Sequence, residues 1–152
     1  MQKHQTDYQL QFAYPSTDVI NTKSYGFGVT SLALTNKNGN VDFQILLLPK
    51  SLAQTVGQDF DGYYSMSDNT TKIIKNPLAQ DNTTEQFTKI NNITIDGNKA
   101  VNYQSLASNV KPGTLPEIGT FIEIDNNLVL FSTEPNNKNK LEEMLKLFRY
   151  PI

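Results

Sequence analysis

The sequence contains no cysteine, no tryptophan and a single histidine, His4. Without cysteine the chain cannot form disulfides, bind a metal through thiolates or use a cysteine nucleophile. Because His4 lies in a polar N-terminal segment, a buried Ser-His-Asp triad is excluded. No apolar run approaches the roughly 18–20 residues that span a bilayer. These absences favour a protein that is not an enzyme, needs no cofactor and has no membrane span.

The residues that are present fit a folded domain. The chain has 152 residues, of which 38% are hydrophobic and 18% are charged. A domain of this length buries roughly 68–70% of its unfolded surface, so a sizeable core is expected. The net charge is −2, and the lysines are dispersed without a basic stripe. Neither nucleic acid nor an anionic membrane is therefore expected as the main partner.

The first seven residues are polar and predict a short tether ahead of one domain over residues 8–152. This segment has no apolar core, so it is not a signal peptide. A chain without cysteine fits the cytoplasm, and it equally fits an exported domain cut just after a lipobox. The sequence alone leaves the location open between an extracytoplasmic one (periplasm, outer surface or secreted), with a lipid anchor upstream, and the cytoplasm.

The first third of the chain predicts three strands. Residues 8–14 alternate apolar and polar side chains, which is the period of a half-buried strand, and Pro15 ends it. Residues 25–34 and 41–48 predict two further strands. The asparagine-rich turn at 36–40 should join these two as a hairpin.

The next segment predicts a helix and then a long loop. Apolar residues follow Ser51 at helical spacing, which predicts a helix over about 52–64 with Ser51 as its N-cap, although Gly57 lies inside it. Residues 65–84 are polar and predict a loop, with a short strand or turn at 72–75. A loop of this length is functional or mobile.

Residues 85–95 and 99–106 predict paired strands around an Asp-Gly-Asn turn. Two registers are open at this turn. A three-residue loop aligns Ile93 with Val101, whereas a two-residue Asp-Gly loop aligns Ile93 with Ala100. In either case the glycine of the turn should have a positive φ.

A later hairpin and a closing helix complete the expected core. If Asn126 and Asn127 form a two-residue turn, Ile124 faces Val129. One face of this hairpin is then wholly apolar, formed by Ile122, Ile124, Val129 and Phe131. A short helix ending before Pro151 should cover that face, because four apolar residues recur at i, i+3, i+4 and i+7: Leu141, Met144, Leu145 and Phe148. Antiparallel hairpins with helices against them predict an α+β domain.

No group of residues in the sequence forms a recognisable active site. Asp59, Asp61 and Asp68 are weak metal candidates, since their spacing does not match a calcium-binding loop and a solvated helix edge explains them better. The Gly-Phe-Gly at 26–28 precedes a strand instead of a helix, so it is no dinucleotide fingerprint. We therefore expect no catalytic residue and no cofactor site.

Several short sequence motifs resemble those of one known family. Leu10 to Pro15 resemble its opening strand closed by Tyr-Pro, Val41 to Leu52 resemble its next strand and helix start, and Ile93 to Ala100 resemble its I-x-G-x-x-A hairpin. With the closing helix at 141–148, this order resembles the PsbP/Mog1-like family, which includes the PsbP subunit of photosystem II and bacterial lipoprotein or secreted domains. The resemblance implies an α/β/α sandwich with a mainly antiparallel central sheet, an extracytoplasmic setting and no enzymatic activity.

Two functional hypotheses follow. The first is a non-catalytic extracytoplasmic domain that binds a protein or another envelope component. The alternative is a small-molecule or metal-ion binding module that uses loops 65–84 and 107–119.

Overall fold

The structure, a computed structural model, describes residues 1–6, 9–75 and 82–152. Strands account for 52% of it and helices for 17%. The strands are β1 (Gln2–Gln5), β2 (Gln11–Tyr14), β3 (Val19–Gly26), β4 (Val29–Thr35), β5 (Val41–Pro49), β6 (Thr71–Lys75), β7 (Thr84–Ile95), β8 (Asn98–Ala107), β9 (Glu117–Ile124) and β10 (Asn127–Thr133). The helices are α1 (Lys50–Thr55), α2 (Phe60–Ser65) and α3 (Lys138–Lys146), with a 3-10 turn at Pro135–Asn137 before α3.

Eight strands form one sheet in the order β3-β4-β5-β10-β9-β8-β7-β6. Every neighbouring pair in it is antiparallel. Strands β3 to β5 are consecutive in sequence, and so are β6 to β10, so the sheet consists of two meanders. The meanders join where β5 pairs with β10, from Phe43 opposite Thr133 to Pro49 opposite Asn127.

One face of the sheet, the α3 face, is covered by α3 and by the separate β1–β2 hairpin. Phe12, Phe131 and Phe148 are fully buried there, and the Phe131 ring meets each of the other two in an edge-to-face arrangement. Residues Gln2–Gln5 pair with β2, so part of the segment predicted as a polar tether forms a strand. Residues 7 and 8, where the first strand was predicted to begin, lie outside the described residues.

The opposite face, the α1/α2 face, is covered by α1 and α2 and has an aromatic core. The ring centroids of Tyr63 and Phe87 stack 4.0 Å apart, and those of Phe87 and Tyr103 stack 5.2 Å apart. Buried Lys89 holds the end of α2, because its ammonium group donates to two carbonyl oxygens there at 2.7 and 2.5 Å. A cation at the carbonyl end of a helix is stabilising.

The predicted α+β domain with an α/β/α sandwich is wrong. The structure is mostly β, with an eight-stranded antiparallel sheet and few helices. The polar segments 2–5 and 19–26 both form strands that were not predicted. Seven of the eight residues of β3 are exposed, so its sequence carries no alternation between a buried and a solvated face.

The predicted helix over 52–64 is two short helices, α1 and α2. Gly57 separates them with φ +87°, a left-handed conformation that interrupts a helix. Pro49 is the N-cap of α1, so the prediction of Ser51 as the cap is wrong. The strand alternative for residues 72–75 is confirmed, since they form most of β6.

One predicted strand is wrong and one predicted hairpin turn is confirmed. The strand predicted over 25–34 is instead a hairpin of β3 and β4, with Phe27 and Gly28 in its turn. The β7–β8 hairpin has the two-residue Asp-Gly turn, because Ile93 lies opposite Ala100. The shorter of the two predicted loops is therefore confirmed.

The β9–β10 hairpin confirms the predicted apolar face but not its register. The turn lies at residues 125–126, so Ile124 is opposite Asn127 and Ile122 is opposite Val129. A shift of two residues keeps every side chain on its own face. This face packs against α3 as predicted, and the helix buries Leu141, Met144 and Leu145.

Replacing Phe148 with alanine should lower the free energy of unfolding by about 3–5 kcal/mol, because the ring is fully buried against the sheet. Equilibrium urea unfolding followed by circular dichroism measures the change. Leu147→Ala is the matched control, since its side chain is 38% exposed and should cost much less. A Phe148→Ala midpoint equal to that of wild type would contradict the packing of α3 on the sheet.

Replacing Gly97 with valine should destabilise the protein by at least about 1 kcal/mol through backbone strain. Gly97 has φ +80°, and an added Cβ would meet no atom within 4 Å, so steric overlap contributes nothing. Gly97→Asn is the control, because asparagine tolerates this conformation far better than a β-branched residue. Equal thermal unfolding midpoints for the two variants would show that the turn does not depend on a positive φ.

Candidate functional site

The three aspartates considered as metal candidates do not converge on a site. Asp61 makes a salt bridge of 2.9 Å with Lys50. Asp59 is the N-cap residue of α2, and Asp68 is exposed in the turn that follows this helix. Within residues 1–6, 9–75 and 82–152, no three His, Cys, Asp or Glu side chains are placed to hold a metal ion.

A different site, the acidic cavity, lies on the α1/α2 face beside the loop between β8 and β9. Its volume is about 820 Å³, and three carboxylates, those of Glu85, Glu117 and Glu134, line it. Much of the remaining wall is apolar and comes from the sheet and from that loop: Leu46, Leu48, Ile74, Val110, Leu115 and Leu130. The cavity therefore combines a negative end with a hydrocarbon wall.

Strand register brings two of the carboxylates together. Glu117 at the start of β9 lies opposite Ser105 of β8, and Glu85 of β7 lies opposite the end of β8. Residues directly opposite in a sheet point to the same face. The Ser105 hydroxyl donates a hydrogen bond to Glu85, so this serine lies between the two acidic side chains.

Among the residues that the structure describes, the three carboxylates have no salt-bridge partner. Both salt bridges in the described part of the chain belong to Lys50, and residues 7, 8 and 76–81 include no Lys, Arg or His. Burial, followed by repulsion from Glu85 and Glu134, raises the pKa of Glu117 above its ordinary value. Like charges that share a partly desolvated site disfavour each other's ionised form. The cavity thus attracts a proton or another cation.

The aromatic side chains near the cavity remain neutral. Burial is the main cause that raises the pKa of Tyr103 well above its usual range, and Glu117 and Glu85 add to it. Burial, and then Glu85, also raises the pKa of Tyr63. The Tyr63 hydroxyl donates to the carbonyl oxygen of Gly57 at 2.9 Å. The charge of the site is therefore confined to its carboxylates.

The loop over the cavity, residues 108–116, is ordered by its own hydrogen bonds. Thr114 closes a turn, because its backbone N–H and its hydroxyl donate to the same carbonyl oxygen at 3.1 and 2.7 Å. Gly113 supplies the positive φ (+85°) that this turn requires. Ser108 and Thr84 are joined by two hydrogen bonds of 2.9 Å. The wall of the cavity is therefore preformed.

Parts of the two loops named from the sequence meet at this cavity. Thr83, Thr84 and several residues between 109 and 117 line it, whereas residues 76–81 lie outside the described residues. No pattern in the sequence indicates the three glutamates, which are spread from position 85 to position 134. Only the register of the sheet brings them together.

A second cavity of about 550 Å³ lies between α3 and strands β7–β9. Polar side chains on its floor satisfy one another, since Asn102 donates to Asn91 at 3.0 Å and accepts from Thr120 at 2.6 Å. The acidic cavity is larger, and its three carboxylates have no salt-bridge partner in the described part of the chain. It is therefore the stronger candidate for a binding site.

No protein-family model and no curated protein sequence matches the chain. Nothing in these comparisons identifies a PsbP/Mog1-like family. Among the residues that the structure describes, no helix is long and apolar enough to cross a bilayer. The geometry of the acidic cavity is therefore the main indication of function.

Another acidic pair lies away from the cavity, where β3 begins. Asp18 is 4% exposed, and its carboxyl group is within hydrogen-bonding reach of the Asp42 carboxyl. Burial, and then the contact with Asp42, raises the pKa of Asp18 to about 6, while Lys140 on α3 opposes this effect. One of the two carboxyl groups therefore holds a proton in mildly acidic solution.

This pair predicts a specific dependence of stability on pH. Because the folded-state pKa of Asp18 is raised to about 6 from 3.8, its stabilising contribution is complete below about pH 4 and is lost as the pH rises through 6. Asp18→Asn, which carries no titrating proton, should be more stable than wild type by about 1–3 kcal/mol at pH 8. The two proteins should differ much less at pH 4.

Urea unfolding at the two pH values measures this difference. Glu143→Gln, on the exposed side of α3, is the control for the loss of one carboxylate. A stability difference between Asp18→Asn and wild type that is the same at pH 4 and pH 8 would contradict the raised pKa.

Proposed function

We propose that the protein is a non-catalytic binding domain whose acidic cavity takes a ligand with a positively charged group and an apolar body. The observation that carries this proposal is the set of three carboxylates, Glu85, Glu117 and Glu134, which share one cavity without a salt bridge in the described part of the chain. A cationic group would relieve their repulsion. The leucine-rich wall would bury the hydrocarbon part of the same ligand.

Binding of a cationic ligand in the acidic cavity is coupled to release of a proton. Glu117 has a raised pKa because of burial and its acidic neighbours. A bound cation would favour the ionised carboxylate and would therefore displace a proton from the site. Affinity should rise with pH over the range in which Glu117 loses its proton.

Binding without catalysis is supported by the residue types. The chain has no cysteine, and its one histidine, His4, lies in β1 with its ring 5.3 Å from that of Phe12 in the α3-face core.

An extracytoplasmic location, with a partner in the envelope and a lipid anchor upstream, is part of the proposal. It is supported by the resemblance of the sequence to the PsbP/Mog1-like family, and the absence of cysteine is compatible with it. Localising the full-length gene product by fractionation tests it.

Hexylammonium and 1-hexanol are matched probes for the cavity, because they share a carbon chain and differ in charge. Hexylammonium should bind at least about tenfold more tightly than hexanol at pH 7, a difference of about 1.4 kcal/mol. Its affinity should fall at pH 4 and at high salt. Chemical-shift titration by NMR measures both affinities and locates the perturbed residues.

The double variant Glu117→Gln/Glu134→Gln should remove most of the preference for the cation. Glu142→Gln/Glu143→Gln on α3 loses the same charge outside the acidic cavity and should bind as wild type does. Equal affinity for the two probes would overturn the proposal. Tight binding of Ca²⁺ without binding of hexylammonium would favour the metal-ion alternative instead.

A further inference from the structure

The outer edge of β3 has no partner strand among the residues that the structure describes. β3 is the terminal strand of the eight-stranded sheet and pairs only with β4. Seven of its eight residues are exposed, and Lys23 is its one charged residue. Edge strands are normally protected by charges, prolines or short length. β3 has a single charge and no proline, and its pairing is regular up to the register shift between Ser24 and Gly26. Residues 19–24 are therefore a template for another strand.

We propose that β3 pairs with β3 of a second copy of this chain, antiparallel, with Thr22 on the two-fold axis. The pairing would extend the sheet across the dimer. No residue of β3 lines the acidic cavity, so this inference does not depend on the proposed function.

The directions of the β3 side chains support this register. Ile20 lies opposite Leu34 and packs on the core of the α3 face, so the even-numbered side chains point to that face. Val19 and Lys23 therefore belong to the other face, and Val19 is 64% exposed. The pairing with β4 shifts register between Ser24 and Gly26, so Tyr25, which is 56% exposed, is assigned to this face by its contact with Lys23. The ammonium group of Lys23 lies 5.0 Å from the centre of the Tyr25 ring, which places these two side chains together.

Pairing of β3 with β3 of a second copy brings these exposed apolar residues into contact with one another. With Thr22 on the axis, Val19 of one copy lies opposite Tyr25 of the other, and this happens twice in the dimer. Aromatic and β-branched residues are favourable cross-strand neighbours. The same strand therefore supplies both halves of each contact, as a two-fold interface requires.

The charge pattern is compatible with Thr22 on the axis and disfavours Lys23 there. In this register Lys23 lies opposite the uncharged Asn21 of the second copy. A register with Lys23 on the axis would place two ammonium groups directly opposite each other, which is unfavourable. Because a single pair of edge strands buries little surface, we expect a weak dimer whose population rises with protein concentration.

The absence of cysteine permits a direct test with the full chain. In Thr22→Cys the two new thiols would face each other across the axis, with Cα atoms about 4.5–5.5 Å apart, which is within disulfide range. In Ser24→Cys the two thiols would be four residues apart along the strands, or about 14 Å. Thr22→Cys should form a disulfide-linked dimer under mild oxidation at least ten times faster than Ser24→Cys. Equal rates, or no dimer from Thr22→Cys, would overturn the proposal.

Association of cysteine-free variants provides a second test. Asn21→Asp places a carboxylate opposite Lys23 of the second copy and should tighten the dimer several-fold in sedimentation equilibrium, whereas Asn21→Lys should weaken it. Ile73→Lys is the control, because Ile73 is 57% exposed on β6 at the other edge of the sheet. A wild-type chain that stays monomeric at the highest soluble concentration, or a dimer that Ile73→Lys disrupts equally, would contradict pairing through β3.

Discussion

Burial of the central strands on both faces is the constraint on which the rest of the structure depends. β5 buries Ile45 toward the α3 face and Leu48 toward the α1/α2 face, and β10 does the same with Val129 and Leu128. A sheet that is apolar on both sides must be covered on both sides. The chain provides these covers in short pieces: the β1–β2 hairpin and α3 on one face, and α1 and α2 on the other.

The acidic cavity exists because α1 and α2 cover only a small part of their face of the sheet. Helices α1 and α2 have six residues each and protect only part of their face, so the loop at 108–116 completes the wall beyond them. The carboxylates of Glu85 and Glu117 then lie where the sheet continues past its cover. The cavity thus lies where the helices leave the sheet uncovered, and its carboxylates make it negatively charged. Burial, together with repulsion from Glu85 and Glu134, raises the pKa of Glu117 at this site.

Local patterns in the sequence predict the local parts of this structure. The i, i+3, i+4, i+7 stripe gives α3, and the Asp-Gly pair gives the β7–β8 turn, because each depends on neighbours in sequence. β3 could not be predicted in the same way, since a strand exposed on both faces has no buried period. The predicted fold class was wrong for a related reason, because two polar segments themselves form strands. The carboxylates of the cavity depend on strand register, which no local pattern specifies.

The order of the strands also determines how the chain reaches this state. Within each meander every strand pairs with its sequence neighbour, so these contacts close short loops at a small entropic cost. The join between β5 and β10 is different, because it brings Pro49 beside Asn127 across a long stretch of unfolded chain. Non-local pairing of this kind slows folding. We therefore expect the β5–β10 pairing to cost more chain entropy than the pairing of neighbouring strands within a meander.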